Sequence, residues 1–230
     1  MSKKYEYAFP MPSVTVDLII FTIIKDQLCF LTIERKHPPF RGHRALPGGF
    51  LEVDRGETLD EAAQREAFEE TNLKDLFIEQ LYTFGDPNRD PRGRVITVAY
   101  YCLVPSGVKP VAGDDAKNAE WTPVYGVADM AFDHSKVVQV ALDRLKGKIA
   151  YTNIAYQLLP KRFTLTELQN VYEIILNETL DKRNFRRHIM SRGLVASTKE
   201  RRGGAHRPAK LFTFNQKTAD SQLACLTSTS

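Results

Sequence analysis

Three glutamates, Glu66, Glu69 and Glu70, stand at positions i, i+3 and i+4 of the run REAFEE. On a helix of about 3.6 residues per turn they are neighbours on one face. Like charges that close repel one another, and a hard divalent cation is the simplest partner that relieves the conflict. Mg2+ takes carboxylate oxygens, keeps several waters and is shared with substrate phosphates, so it is the expected ion, with Mn2+ as the alternative. Arg65 precedes the trio and lies four residues before Glu69, where its guanidinium can hold a carboxylate in place. Thr58 and Glu61 have the T-x-x-E spacing of a capping box, which starts the helix at about Thr58. Asn72 tolerates the left-handed conformation that ends one. The stretch that delivers this helix, ALPGGFLEVDRGE, contains a Pro47-Gly48-Gly49 turn whose backbone can approach a ligand closely.

Together these stretches resemble the Nudix box, G-x5-E-x7-R-E-U-x-E-E-x-G-U with U aliphatic. That family hydrolyses nucleoside diphosphates linked to another moiety, using divalent metal ions. From Glu57 onward the match is close: seven residues, Arg65-Glu66, then Glu69-Glu70. Two departures stand out. Seven residues (FLEVDRG) separate Gly49 from Glu57 where the pattern has five, which would move substrate relative to metal, and Asn72 replaces the last glycine. A solvated acidic helix face is the alternative reading, but glycine turn, arginine and glutamates coincide in register. The resemblance implies that Glu66, Glu69 and Glu70 ligate the metal while Arg65 and Glu57 hold the site together, these five forming the catalytic set.

The surrounding chain of 230 residues has ample length for a core in one large or two small domains. With 43% hydrophobic and 26% charged residues it reads as an ordinary globular protein. The most apolar stretch, residues 14–24, is short and interrupted by Asp17, as befits a buried strand rather than a membrane span or leader. Cys29, Cys102 and Cys225 have neither disulfide-framework nor zinc spacing, and a reducing cytoplasm fits best. Charge is divided unevenly. Residues 1–148 carry 19 Lys and Arg against 22 Asp and Glu, while residues 149–230 carry 13 against 6. A basic module behind an acidic one points to two partners, the second a polyanion.

Strands are expected at 14–24 and 28–35 with a turn at Lys25-Asp26, then at 76–83, 94–104 and around Glu120 to Pro123. The glutamate helix and a second helix near 135–147 would cover this mixed sheet, an α/β arrangement that resembles the α/β/α sandwich of Nudix proteins. In the loop 86–94, Arg92 and Arg94, with Arg89, can clamp a diphosphate or merely be solvated. Phe40 and Arg41 are candidates for adenine stacking and phosphate contact, and Gly48 and Gly49 for close backbone contact with substrate. Asp114 and Asp115 stand where Nudix proteins often position the attacking water, although each read singly is a solvated turn residue. His134 reads as a buried hydrogen bond at a helix start, Trp121 as core, and Arg44 takes a place where relatives often carry tryptophan.

Beyond 149 the pattern changes. FTLTELQNVYEIIL places Leu168, Val171, Tyr172, Ile175 and Leu176 at amphipathic helical spacing, started by a Thr164/Glu167 capping box. After a short turn, Asp181 caps a basic helix with Phe185 and Ile189 on one face and Lys182, Arg183, Arg186 and Arg187 largely on the others. TKERRGGAHRPAKLFTF then reads as a hairpin with a basic tip. Helix, turn, basic helix and wing make a small winged helix-turn-helix. The expected organisation is 1–148, 149–215 and a flexible tail at 216–230. The order of modules, with AFDH (131–134) and DKRNFRR, resembles the NrtR family, Nudix-related regulators of NAD metabolism that bind operator DNA as dimers and respond to ADP-ribose. The resemblance implies DNA contacts from Lys182, Arg183, Arg186, Arg187, Arg201, Arg202 and Arg207. Because every metal position is filled, the expected function is a Mg2+-dependent hydrolase of ADP-ribose or a related nucleoside diphosphate that also binds double-stranded DNA. The alternative is an ADP-ribose-responsive regulator with little or no hydrolysis. A homodimer without membrane association is expected in either case.

Overall fold

Lys25 and Asp26, both at positive φ (48° and 59°), close a two-residue turn between β1 (Ser13–Ile24) and β2 (Gln27–Arg35). Two positive φ angles match the right-handed twist of flanking strands. This computed structural model describes residues 7–74, 76–111, 116–127, 129–149, 152–203 and 208–215. It divides into two compact units, Met1–Arg144 and Leu145–Ser230.

In the first unit β1 is central. One of its edges pairs in parallel with β6 (Val95–Leu103) from Ser13 to Phe21. Its other edge is shared: β2 occupies Phe21 to Ile24, and β4 (Gly48–Phe50) occupies Thr15 to Asp17. β2 behaves likewise, with β3 (Arg44–Ala45) beside Ile33 and Glu34 and β7 (Ala116–Pro123) along the opposite edge. The hairpin therefore splays open, and the short strands β3 and β4 fill the wedge. β5 (Ile78–Phe84) completes the mixed sheet against β6. Val16, Leu18, Ile19, Ile20 and Phe21 are all fully buried, so both faces of β1 are covered and its run is almost continuously apolar.

α1 (Leu59–Thr71) lies against one face, where Ala62, Ala63 and Ala67 join a core with Val16, Leu18, Ile20, Leu31 and Val98. Three alanines bring the helix axis close to the strands, which holds its acidic face near β4. Thr58 and Glu61 form the expected capping box, and Asn72 ends the helix in the left-handed conformation. α2 (His134–Ile149) starts one residue before the expected position, and Trp121 is half-buried against the core with its indole N–H on the Val108 carbonyl at 2.9 Å.

The second unit contains α3 (Leu165–Leu176), α4 (Lys182–Ser191) and the hairpin β8 (Val195–Arg202) and β9 (Ala209–Phe214). Phe163 and Phe212 exchange backbone hydrogen bonds of 3.1 and 2.8 Å, which joins the hairpin to the segment leading into α3. Leu168, Val171, Tyr172 and Ile175 of α3 are buried, as are Phe185 and Ile189 of α4. The architecture is thus a mixed sheet with packed helices followed by a winged helix, as expected. The hairpin tip at 204–207 and the tail at 216–230 lie outside the described residues.

Thr164 and Glu167 close the capping box of α3 with bonds of 3.1 and 2.7 Å. Thr164→Ala removes a cap worth about 1 kcal/mol, so amide exchange across α3 in the full chain should accelerate by roughly fivefold. Unchanged exchange would mean that packing alone sets where α3 begins.

Candidate functional site

The acidic face of α1 is organised by one guanidinium. Arg65 Nε donates to Glu57 Oε1 at 2.7 Å and Nη2 to Glu57 Oε2 at 3.3 Å, while Nη1 donates to Glu66 Oε1 at 2.7 Å. Glu69 stands 3.6 Å from the same Nη1. The two extra residues before Glu57 do not disturb this arrangement. They are taken up by a 3-10 turn at Val53–Arg55 ending in left-handed Gly56, and the Glu52 amide donates to Glu57 Oε2 at 2.8 Å. The hydrogen bonds from Arg65 hold the Glu57 carboxyl below its ordinary range. Burial pushes Glu66 up, against the pull of Arg65.

Glu66 and Glu70 are buried, whereas the Glu69 side chain is 49% exposed. Among the described residues no three acidic, histidine or cysteine side chains converge on a point that would hold a metal. The donors nevertheless suit a hard cation: they are carboxylates on consecutive turns of one helix. Gly49 leaves room beside them, since a Cβ there would stand 2.3 Å from Glu66 Oε1. Gly48 is equally constrained. Its φ is +153°, and a Cβ would meet the Val16 carbonyl oxygen at 2.2 Å.

On the other side of β4 lies a cleft at the splay of β1 and β2. Its lining includes Asp17, Arg35, Gly48, Phe50, Arg92 and Phe132. Arg89 is buried and bridges two carboxylates, with Nη2 3.2 Å from Asp17 Oδ2 and 2.7 Å from Asp133 Oδ1. The Leu46 amide donates to His134 Nδ1 at 2.8 Å, so the ring proton sits on Nε2, 3.8 Å from Asp17 Oδ2. Burial depresses the His134 pKa against the attraction of Asp17, which keeps the ring neutral near pH 7. Arg92 grips buried Asp90 with bonds of 3.0 and 2.7 Å, and its Cζ stands 5.3 and 5.5 Å from the Phe50 and Phe132 ring centres. Burial raises Asp90, but the bonds from Arg92 outweigh it and hold the carboxyl low.

The expected residues fall in different places. Gly48, Gly49 and Arg92 line the cleft. Phe40, at φ +62°, leans edge-on against Phe132 with ring centres 4.8 Å apart. Arg41 lines a neighbouring depression with Lys36 and His37, and exposed Arg94 is not part of the cleft. Arg89 is engaged by the internal carboxylates Asp17 and Asp133, whereas Arg92 and Arg94 are exposed. Arg44 pairs with Glu120 at 2.8 Å, and His134 makes the buried bond expected of it. Asp114 and Asp115 lie outside the described residues. Sequence reasoning missed Asp17, Phe50, Phe132 and Asp133; the signal for Asp17 was a single acid in an otherwise apolar strand.

In the second unit Lys182, Arg183 and Arg187 are exposed on α4, and Arg187 Nη2 donates to Asn184 Oδ1 at 2.8 Å. Arg186 is half-buried, its Nε enclosed and without a hydrogen-bond partner among the described residues. Arg201 is exposed on β8. Arg202 is occupied internally: it pairs with Glu167 and donates to the Arg162 carbonyl at 3.1 Å. Arg207 lies outside the described residues.

Comparison with known families gives two matches, the NUDIX domain over residues 11–140 and the NrtR DNA-binding winged helix domain over residues 155–214. The chain is 38% identical over 208 residues to the ADPR responsive transcriptional repressor NtrR of Acinetobacter baylyi, covering 90% of this chain and 83% of that protein. It is 42% identical over 137 residues to the ADP-ribose pyrophosphatase of Methanocaldococcus jannaschii, covering 60% of this chain and 76% of that one. The structure is similar to that of Shewanella oneidensis NrtR complexed with a 27mer DNA, at a TM-score of 0.76 and 32% identity over 90% of this chain and 95% of the other.

The Glu57 and Glu66 side chains are only 8% and 11% exposed, so removing their shared partner leaves buried charge unpaired. Arg65→Met should destabilise the first unit by about 3–5 kcal/mol in chemical denaturation. Arg65→Lys, a single point charge that cannot span both carboxylates, should lose about 1–3 kcal/mol. Wild-type stability in both variants would show that the fork contributes nothing to the fold.

Proposed function

The chain belongs to the NUDIX family and ends in an NrtR-type DNA-binding winged helix, and from this we propose that it is an ADP-ribose-responsive repressor. The NUDIX unit receives the ligand in the cleft beside β4, and the winged helix binds operator DNA. The observation that carries this reading is α4, which anchors Phe185 and Ile189 inward while presenting Lys182, Arg183, Asn184 and Arg187 to solvent. A short helix so arranged, followed by a hairpin, can enter a major groove and contact phosphates on either side. Likeness along nearly the whole chain to a protein named as a repressor supports the same conclusion. Operator recognition of this kind works with two copies on a two-fold site, so the protein acts as a cytoplasmic homodimer. Phe40, Phe50, Phe132 and Arg92 supply the stacking surface for the nucleotide, and Gly48 and Gly49 the close backbone approach. Arg183, Arg187, Lys182 and Arg201 are the phosphate and base contacts, Arg186 supports them, and Arg202 acts by fixing the wing.

A second activity is favoured by the complete set of glutamates and by the likeness to an ADP-ribose pyrophosphatase. Glu66, Glu69 and Glu70 would hold Mg2+ or Mn2+, which when bound supplies Lewis acidity toward a diphosphate. Arg65 fastens Glu66 and joins it to Glu57, keeping one donor in position before any ion arrives. Sequence reasoning put hydrolysis first; the likeness along 90% of the chain to a protein named as a repressor supports regulation first and hydrolysis as its companion.

Two experiments test these roles. A gel shift on the region upstream of the protein's own operon should respond to ADP-ribose, and Arg183→Ala with Arg187→Ala should weaken binding. The log–log salt slope should become shallower by about 1–2, because each lost phosphate contact releases fewer counterions. DNA affinity that ignores both ligand and substitutions would eliminate the repressor reading. Separately, Glu70→Gln should abolish Mg2+-dependent release of AMP from ADP-ribose, whereas no release by the wild-type protein would eliminate the hydrolase.

A further inference from the structure

At the inner end of the cleft the cationic groups are already engaged. Arg89 serves Asp17 and Asp133, and Arg92 serves Asp90. These two guanidiniums are therefore spent on three carboxylates, while Arg35, the third arginine of the lining, donates from Nε to the Pro39 carbonyl at 2.9 Å. A ligand group that donates a hydrogen bond finds a carboxylate acceptor at this end.

Asp17 is the group placed to receive it. The residue is 7% exposed and lines the cleft. Two neighbouring side chains approach one oxygen: Arg89 Nη2 lies 3.2 Å and His134 Nε2 3.8 Å from Oδ2. Oδ1 accepts no hydrogen bond among the described residues. Gly48 keeps that oxygen accessible, because a Cβ at this position would stand 3.0 Å from it. Arg89 is held in turn by Asp133, and His134 by the Leu46 amide, so the carboxylate is braced from behind and open in front.

We infer that Asp17 is a specificity-determining residue of the cleft, whose Oδ1 accepts a hydrogen bond from a sugar hydroxyl of the ligand while Arg89 and His134 fix its orientation. The inference rests on the ADP-ribose reading above and adds to it which end of the ligand enters first: a ribose, with the diphosphate left toward β4 and α1. A hydrogen bond between a hydroxyl and a fixed carboxylate is short and strong, and its loss costs roughly tenfold to a hundredfold in affinity.

Calorimetry on the full chain tests this with ADP-ribose, with analogues each lacking one hydroxyl of either ribose, and with the hypoxanthine analogue that lacks the base amino group. One deoxy analogue should bind the wild-type protein roughly tenfold to a hundredfold more weakly than ADP-ribose. Asp17→Asn, which can present an amino group where an oxygen stood, should bind ADP-ribose about as weakly as that analogue and no longer distinguish the two. Equal wild-type affinity for every deoxy analogue overturns the proposal, whether or not the variant folds. So does a penalty confined to the hypoxanthine analogue, or a deoxy penalty that survives in Asp17→Asn. Binding of ADP-ribose with no such discrimination sinks this inference alone; no binding of ADP-ribose removes the ligand reading as well.

Discussion

β1 and β2 stay hydrogen-bonded for only four pairs beyond their turn and then part. Every feature of the candidate site depends on how the gap between them is filled. β4 enters along β1 so closely that Gly48 has no space for a side chain, and its neighbour Gly49 touches the Glu66 carboxylate. One short strand thereby separates two chemically distinct faces. Toward α1 there are glutamates bound by a single arginine. Toward the splay there is a cleft with aromatic walls and a floor of paired charges. Substituting a larger residue in this strand would disturb both faces, which explains why backbone rather than side chains lies between them.

The two faces differ in how their charges are balanced. On α1, Arg65 is shared among Glu57, Glu66 and more distantly Glu69, so negative charge remains in excess and a cation would complete the set. In the cleft Arg89 and Arg92 are matched to carboxylates, while Arg35 lies against the Phe132 ring with its Nε on the Pro39 carbonyl.

The elements most legible in the sequence are those whose causes lie within a few residues. Thr58 with Glu61 and Thr164 with Glu167 form their boxes over a single turn, and Asn72 ends its helix as such a residue does. The anchors Phe185 and Ile189 were legible from helical spacing, and the mixed sheet from its strand composition. The features that were not legible depend on distant pairing. Arg89 meets Asp17 across 72 positions and Asp133 across 44, so loop composition could not separate Arg89 from Arg92. The pairing of Arg202 with Glu167, 35 positions away, was likewise out of reach of local pattern. Phe132 was overlooked because the histidine is the conspicuous residue of AFDH, although the phenylalanine packs with Phe40 and with the guanidiniums of Arg35 and Arg92.

The 3-10 turn at Val53–Arg55 has a wider meaning for how such a chain can diverge. Its ends are clamped together by the contact of Glu52 with Glu57, at 2.8 Å from amide to carboxylate, so the residues between them bulge outward without shifting the start of α1. Val53, Asp54 and Arg55 are all exposed. Their number is consequently uncoupled from the chemistry downstream, and insertions or deletions can accumulate at this point while the helix register stays unchanged. It is a natural place to graft a peptide tag or a reporter.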